Sequence, residues 1–168
     1  MLVVVSDTAP LNYLVWIEAV DVLPRLYGRV LIPPAVLEEL SQSNTPDPVR
    51  LWLQNPPAWL EILSPRFPPD PRFFHLDSGE QAAILLALEQ GANLLLMDER
   101  DGTRAALQSG LRVTGTLGVL DQAAARGWID LPSAFRRLEQ TSFRRPRKLM
   151  ADLLEEDRKR SPKPGPIS

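Results

Sequence analysis

Residues 1–10, MLVVVSDTAP, contain the stretch that decides the fold. Leu2, Val3, Val4 and Val5 form an unbroken apolar run, and three of the four are β-branched. Continuous rather than alternating apolar residues indicate a strand buried on both faces, as in the centre of a parallel sheet. We therefore predict that this run is a central parallel strand.

An acidic residue follows this strand directly. Asp7 comes just after the apolar run, Thr8 stands at a predicted helix cap, and Pro10 falls in the first helical turn. Open α/β sheets bind their ligands just outside the carboxyl ends of their strands. Asp7 is therefore placed for chemistry, and the question is which other residues converge on it.

The composition is that of an ordinary globular domain. The 168 residues are 44% hydrophobic and 24% charged, which suits one soluble domain. No apolar run approaches the roughly 20 residues of a membrane span, and no basic region precedes Leu2 as it would in a signal peptide. We expect a cytoplasmic protein. The absence of cysteine excludes disulfides, thiolate zinc sites and cysteine nucleophiles.

Lysine and histidine are scarce. The only lysines are Lys148, Lys159 and Lys163, so the body of the domain has none for a phosphate-binding P-loop or a phosphoryl-accepting receiver site. The single histidine, His75, argues against histidine triads and zinc clusters. The chemistry left to the body of the domain is chiefly that of carboxylates.

Strands and helices alternate along the chain. Apolar runs predict further strands at 29–32, 60–63, 93–97 and 112–114. Helical patterns occupy 21–27, 34–40, 49–54, 77–90, 104–109, 116–126 and 131–142. In the longest helix, Asp77 is the predicted N-cap and Gly91 lies just past the end. This alternation predicts an α/β fold, a three-layer α/β/α arrangement with a central parallel sheet.

The composition changes after residue 142. Four basic residues within 144–148 precede Leu149, Met150 and Leu153, and a proline-rich end follows. We predict one domain over 1–142 and a basic C-terminal extension over 143–168 that is helical and then disordered. The apolar residues of the extension pack either against a partner or back onto their own domain.

Two acids occupy equivalent places. Asp7 and Asp98 each follow a predicted buried strand. If the strands are neighbours, the carboxylates face each other, which is unfavourable unless a cation lies between them. Mg²⁺ and Mn²⁺ prefer such oxygen ligands. Each residue is alternatively a helix cap, but two in equivalent places favour a metal site.

Three further acids are candidate ligands. Helical geometry at about 100° per residue puts Glu39 on the border of the inward face of its helix and Glu38 on the outward face. Glu80 lies three residues after Asp77, where it acts in a capping box or reaches a metal site. Asp101 either adds a ligand or starts the next helix.

Arginines supply the candidate phosphate contacts. Arg100, Arg104 and Arg112 lie near the proposed sheet edge, and a further basic stretch spans 144–148. A cluster of acids repels a polyanionic substrate, so such cations are needed. The alternative is that these arginines are solvated surface residues.

Four segments together carry a resemblance to a known family. They are SDT (6–8), PPAVLEEL (33–40), LDSGEQAAILLALEQGANLLLMDER (76–100) and VTGTLGVL (113–120). In these motifs, over residues 2 to about 142, the chain resembles the PIN-domain superfamily, and within it a VapC-like prokaryotic branch. The resemblance implies a small α/β nuclease that binds Mg²⁺ or Mn²⁺ through acids and cleaves RNA.

The resemblance also implies residue roles. The acids of the family's catalytic motif fall on Asp7, Glu39, Glu80 and Asp98. The implied metal ligands are Asp7, Glu80 and Asp98, with Asp101 closest to a further, variable acid. Thr8 matches the hydroxyl beside the first acid, and we group it with Arg100 and Arg104 as the expected nucleic-acid contacts.

Partners and departures follow from the same resemblance. VapC-like toxins are typically inhibited by a small antitoxin and commonly form homodimers, so we expect the same of this chain. The family usually has Asp where Glu80 stands and Thr or Ser where Leu96 stands. The missing hydroxyl at Leu96 and the arginine-rich tail favour a second hypothesis, a catalytically inactive PIN-fold module that binds nucleic acid or protein.

Overall fold

The computed structural model describes residues 2–160, and the predicted disorder of the last eight residues lies outside them. Within residues 2–160, five strands form one parallel sheet: β1 (Val4–Ser6), β2 (Val30–Ile32), β3 (Leu60–Ile62), β4 (Leu94–Leu96) and β5 (Val113–Thr114). Their order is β3-β2-β1-β4-β5, so the opening strand is central, as predicted.

The opening strand is buried from both sides. Val4 and Val5 are 1% and 0% exposed, and their side chains belong to two different hydrophobic clusters. Successive residues of a strand point to opposite faces, so the sheet separates two cores. Burying each valine contributes about 1.5–3 kcal/mol. The three-layer α/β/α class predicted from the sequence is confirmed.

Nine helices cover the sheet within the described residues. They are α1 (Thr8–Trp16), α2 (Val22–Tyr27), α3 (Pro34–Leu40), α4 (Asp47–Gln54), α5 (Ser78–Gln90), α6 (Arg100–Gln108), α7 (Thr116–Ala125), α8 (Leu131–Glu139) and α9 (Arg147–Lys159). Helices α5 and α6 pack on one face, and their buried residues share a cluster with Val5. The other helices pack on the face of Val4.

The strand register brings the helix starts to one edge. Ser6 pairs with Leu96, and the amide of Asp7 donates to the carbonyl of Leu96 at 2.8 Å. Helices α1, α6 and α7 begin within four residues of the ends of β1, β4 and β5. Because helix N-termini carry partial positive charge, this edge favours anionic groups.

Both ends of helix α5 match the sequence predictions. The Asp77 side chain accepts a hydrogen bond from the amide of Glu80 at 2.7 Å, and the Glu80 side chain accepts one from the amide of Asp77 at 3.2 Å. Gly91 follows in the left-handed conformation with φ 58°. Both the capping box and the glycine stop are therefore confirmed.

Some boundaries differ from the sequence predictions. Asp7, not Thr8, is the N-cap of α1. Helix α6 begins about one turn earlier than predicted, at Arg100, because Glu99 caps it by accepting a hydrogen bond from the amide of Asp101. Helix α8 ends at Glu139, three residues early.

The C-terminal helix returns to the domain. Helix α9 packs against α7 and α8, and Met150 is only 5% exposed in the core cluster of Val4. Arg160 pairs with Asp121 of α7 at 2.5 Å. Leu153 also packs on this core, whereas Leu149 stays 49% exposed. A domain boundary at residue 142 stays a prediction, but the helix beyond it contributes to the same core.

None of the helices in residues 2–160 is both long and apolar enough to cross a membrane.

Candidate active site

A cleft of about 1000 Å³ opens at the carboxyl edge of the sheet. Six carboxylate residues line it: Asp7, Glu39, Asp77, Glu80, Asp98 and Glu99. Four of these, all except Asp77 and Glu99, are the acids predicted from the sequence as catalytic. They come from four different elements or strand ends, so the tertiary fold is what brings them together. We call this cleft the acidic pocket.

Asp7 is the most deeply buried of the predicted acids. It is 4% exposed, and its Oδ1 atom has no hydrogen-bond partner within residues 2–160. It occupies the N-cap position of α1, yet its side chain makes no capping hydrogen bond, so a capping role does not account for it. Burial raises the pKa of Asp7 to about 8. The Thr8 amide partly offsets this shift, while the charges of Asp77, Glu80 and Glu39 add to it.

Glu80 has two roles at once. It completes the capping box with Asp77, and it is 8% exposed where it lines the acidic pocket. Burial, followed by the charge of Asp77, raises its pKa to about 7. The hydrogen bond from the Asp77 amide lowers it, and the charge of Glu99 raises it further. The capping role is therefore shown, and the role in metal binding stays a prediction.

Asp98 is held from the neighbouring strand end. Its Oδ2 accepts a hydrogen bond from the hydroxyl of Thr116 at 2.6 Å, and its Oδ1 accepts one from the Thr116 amide at 2.7 Å. Burial raises the pKa of Asp98, and the two bonds from Thr116 lower it without cancelling that rise. Gly115 leaves the room for this contact, because a Cβ there would lie 2.6 Å from Oδ1 of Asp98.

Glu39 faces the pocket and Glu38 faces solvent, as the helical geometry predicts. The hydroxyl of Thr8 donates to Oε2 of Glu39 at 2.5 Å, and the amide of Gly79 donates to Oε1 at 3.0 Å. Glu39 therefore ties the starts of α1 and α5 together. A Cβ on Gly79 would overlap this carboxylate, which explains why a glycine is suited to that position.

The predicted arginines are divided among three places. Arg100 lines the acidic pocket. Arg104 and Asp101 line a neighbouring cleft together with His75. Arg112 was placed near the same edge by the sequence, but it precedes β5 and lies at the opposite, amino edge beside Asn93. This placement of Arg112 is wrong, because a residue before a parallel strand lies at the other end of the sheet from a residue after it.

Three residues of the site were not predicted from the sequence as functional. Asp77 and Glu99 have the pattern of helix caps or surface acids, and both line the acidic pocket. Thr116 carries a recognisable signal: it follows β5 at the same sheet edge where Asp7 and Asp98 follow β1 and β4. That equivalence was enough to single it out.

The donor chemistry of the pocket fits a hard divalent cation. All six carboxylates offer oxygen ligands, and the buried Oδ1 of Asp7 has no hydrogen-bond partner within residues 2–160. Burial raises the pKa of Asp7, Glu80 and Asp98, so the surrounding protein does not by itself favour the charged forms of these carboxyl groups. Within residues 2–160, no three histidine or carboxylate side chains are already arranged to hold a metal ion. The chemistry of these side chains therefore suits a divalent cation.

The chain was compared with known proteins in three ways. A family described as a PIN domain matches residues 3–159. No curated protein and no solved structure gave a significant match. The family match covers all five strands, the acidic pocket and α9. The chain therefore belongs to the PIN-domain family, whose fold is of the nuclease type.

Proposed function

We propose that this PIN domain is an endoribonuclease that hydrolyses RNA phosphodiester bonds with the help of Mg²⁺ or Mn²⁺. One observation carries the proposal: the buried carboxyl of Asp7, whose Oδ1 has no hydrogen-bond partner among the described residues, opens onto a pocket shared with five other acids. Such a group is costly in a folded protein, and a bound cation removes the cost.

The proposed ligands are Asp7, Glu80 and Asp98. A divalent cation bound there supplies charge neutralisation at the phosphate and acidification of a coordinated water. Glu39 fixes Thr8 and the start of α5, and Thr116 orients Asp98. Asp7 and Glu80 must release their protons before they can act as ligands, because their pKa values lie at about 8 and about 7. Asp101 lines the neighbouring cleft, so its role as a ligand stays a prediction.

Cleavage of a labelled RNA by purified protein tests this function. We expect cleavage with Mn²⁺, none with EDTA, and a loss of at least about a hundredfold in Asp7→Asn and Asp98→Asn. Glu38→Gln is the matched control, since Glu38 is an exposed carboxylate on the same helix as Glu39. Equal cleavage by wild type and Asp7→Asn would mean that the activity is a contaminant or that the domain is not catalytic.

A second candidate function is a non-catalytic PIN module that binds nucleic acid or protein. It is favoured by the apolar Leu96, which lies fully buried in the core and so offers no hydroxyl to the pocket. Both oxygens of Asp98 are also occupied by Thr116. Retained RNA binding without cleavage in any divalent cation would support this alternative.

The biological role we propose is that of the toxin of a toxin-antitoxin pair, acting in the cytoplasm as a homodimer and inhibited by a small antitoxin. The proposal rests on membership of the PIN-domain family and on the sequence resemblance to its VapC-like branch. Induced expression in a bacterial host is expected to arrest growth, with Asp7→Asn as the inactive control. Unimpaired growth at equal protein levels would count against the toxin role.

A further inference from the structure

The rim of the acidic pocket is formed by two elements from opposite layers. Arg100, the first residue of α6, belongs to the layer on the face of Val5. The segment 142–146, between α8 and α9, belongs to the layer on the face of Val4 and includes Arg144. The two arginines therefore flank the carboxylates from different sides of the sheet.

The segment that carries Arg144 is held in place by aromatic contacts. The Phe143 ring meets the Tyr13 ring edge-to-face, with centroids 5.1 Å apart and planes at 83°. The hydroxyls of Tyr13 and Ser142 share a hydrogen bond of 3.1 Å, and the Phe143 amide donates to the Thr141 hydroxyl at 3.1 Å. These contacts anchor the residue next to Arg144 on α1, the helix that begins at the pocket.

Both flanking arginines are exposed and lack an ion-pair partner in the part of the chain that the structure describes. Arg72 and Arg158, by contrast, pair with acids nearby in sequence. Six carboxylates line the same pocket, yet the guanidinium groups of Arg100 and Arg144 are not used to neutralise them. They are therefore available to an anionic ligand.

We propose that Arg100 and Arg144 bind the phosphates on either side of the acidic pocket, and that the strand they hold is single-stranded RNA. The inference rests on the proposed ribonuclease function. Acids at the centre repel the chain, so its neighbouring phosphates need cations at the rim. The planar guanidinium fork suits phosphate oxygens.

The aromatic residues favour a single strand. Tyr13 and Phe143 line the same pocket as Arg144 and the acids, so aromatic rings are available to a base next to the contacted phosphate. Aromatic stacking is a common mode of binding unpaired bases. A duplex keeps its bases paired and stacked within itself, so it gains nothing from these rings.

Binding of a short fluorescein-labelled oligouridylate to the full chain tests this inference, by fluorescence anisotropy with Ca²⁺ and with the probe checked for integrity on a gel. The variants are Arg100→Ala and Arg144→Ala. Their matched controls are Arg66→Ala, an exposed arginine that precedes α5, and Arg112→Ala, an exposed arginine at the opposite, amino edge of the sheet. Neither control residue lines the acidic pocket. Each control removes the same charge.

We expect each test variant to bind about three- to tenfold more weakly than wild type and each control to stay within about twofold. Log affinity decreases with log salt concentration, and we expect the magnitude of this slope to be smaller by about 0.7 for each lost phosphate contact on a single strand. Thermal unfolding by circular dichroism identifies any variant that has lost its fold. Arg100→Lys and Arg144→Lys then serve as second variants, which keep the salt slope but weaken binding by losing the bidentate contact.

The outcomes separate this inference from the proposed function. Suppose that the wild-type protein cleaves RNA and that the test variants bind RNA as tightly as their controls. This result would overturn the inference and leave the ribonuclease proposal intact. Wild type that binds RNA through these arginines without cleaving it would support the inference and refute the ribonuclease proposal. A duplex probe bound as tightly as the single strand would overturn the assignment to unpaired RNA.

Discussion

Substituting Asp7→Asn changes how the stability of the metal-free protein depends on pH. The pKa of Asp7 is about 8 in the folded protein, against an ordinary value of 3.8. A carboxyl with a raised pKa binds its proton more tightly when folded. Its favourable contribution to stability is therefore complete below about pH 3.8 and is lost as the pH rises to about 8.

The magnitude follows from the shift in pKa. Between these two values, stability falls by about 1.4 kcal/mol for each pH unit, or about 4 kcal/mol from about pH 5 to about pH 8. Water entering the pocket on ionisation reduces this figure, so we expect a loss of about 2–4 kcal/mol. The asparagine amide of the variant cannot ionise, so the variant lacks this part of the slope.

The assay is urea unfolding in EDTA at a series of pH values, followed by circular dichroism. Comparing slopes rather than absolute stabilities matters, because burying the asparagine amide adds a cost of about 1–3 kcal/mol that does not vary with pH. We expect the free energy of unfolding of the variant to increase steadily relative to that of wild type from about pH 5 to about pH 8. Curves that run parallel within about 0.5 kcal/mol would refute the assignment of a raised pKa to Asp7.

Three further predictions concern the same pocket. Mn²⁺ affinity is expected to rise steeply as pH increases through about 7 and about 8, because Glu80 and Asp7 must lose protons to bind the ion. Calorimetry in two buffers of different ionisation enthalpy measures the proton release. An Mn²⁺ affinity that does not change with pH would contradict this prediction. Thr116→Val removes a hydrogen bond that lowers the pKa of Asp98, so we expect that pKa to rise and Mn²⁺ affinity to fall about three- to thirtyfold. The control is Thr103→Val, which alters another threonine of the pocket. Equal Mn²⁺ affinities in the two variants would show that the hydroxyl of Thr116 is unimportant for metal binding. Gly79→Ala places a methyl group against the Glu39 carboxylate and is expected to cost about 1–3 kcal/mol of stability in urea unfolding; an unchanged midpoint would show that α3 and α5 can separate freely.

Backbone amides at helix N-termini help to stabilise the cluster of acids in the pocket. The amide of Gly79 in α5 donates to Glu39, and the amide of Thr116 in α7 donates to Asp98. Each of these carboxylates therefore caps a helix to which it does not itself belong. Asp7 is the exception among the three, since its Oδ1 receives no such bond from the described residues and its pKa is strongly raised. We expect it to respond most to a bound cation.

The sequence by itself determined the features that depend on local pattern. Four consecutive apolar residues predicted a doubly buried central strand, and the capping box and Gly91 set the limits of α5. The helical position of Glu39 predicted its inward orientation. Each of these follows from the periodicity of side chains along a strand or helix, which the order of residues fully specifies.

Only the tertiary structure decided which distant groups meet. Nothing local to Asp98 indicates that Thr116 takes both of its oxygens, or that Glu39 joins Thr8 to Gly79 across more than 30 residues of chain. Arg104 and Arg100 share one face of a helix, yet they line different clefts, and Arg104 lies about 6 Å further along α6 from the sheet edge. The ionisation of Asp7 was equally out of reach from the sequence, since a pKa depends on burial and on charges that surround the group in space rather than along the chain.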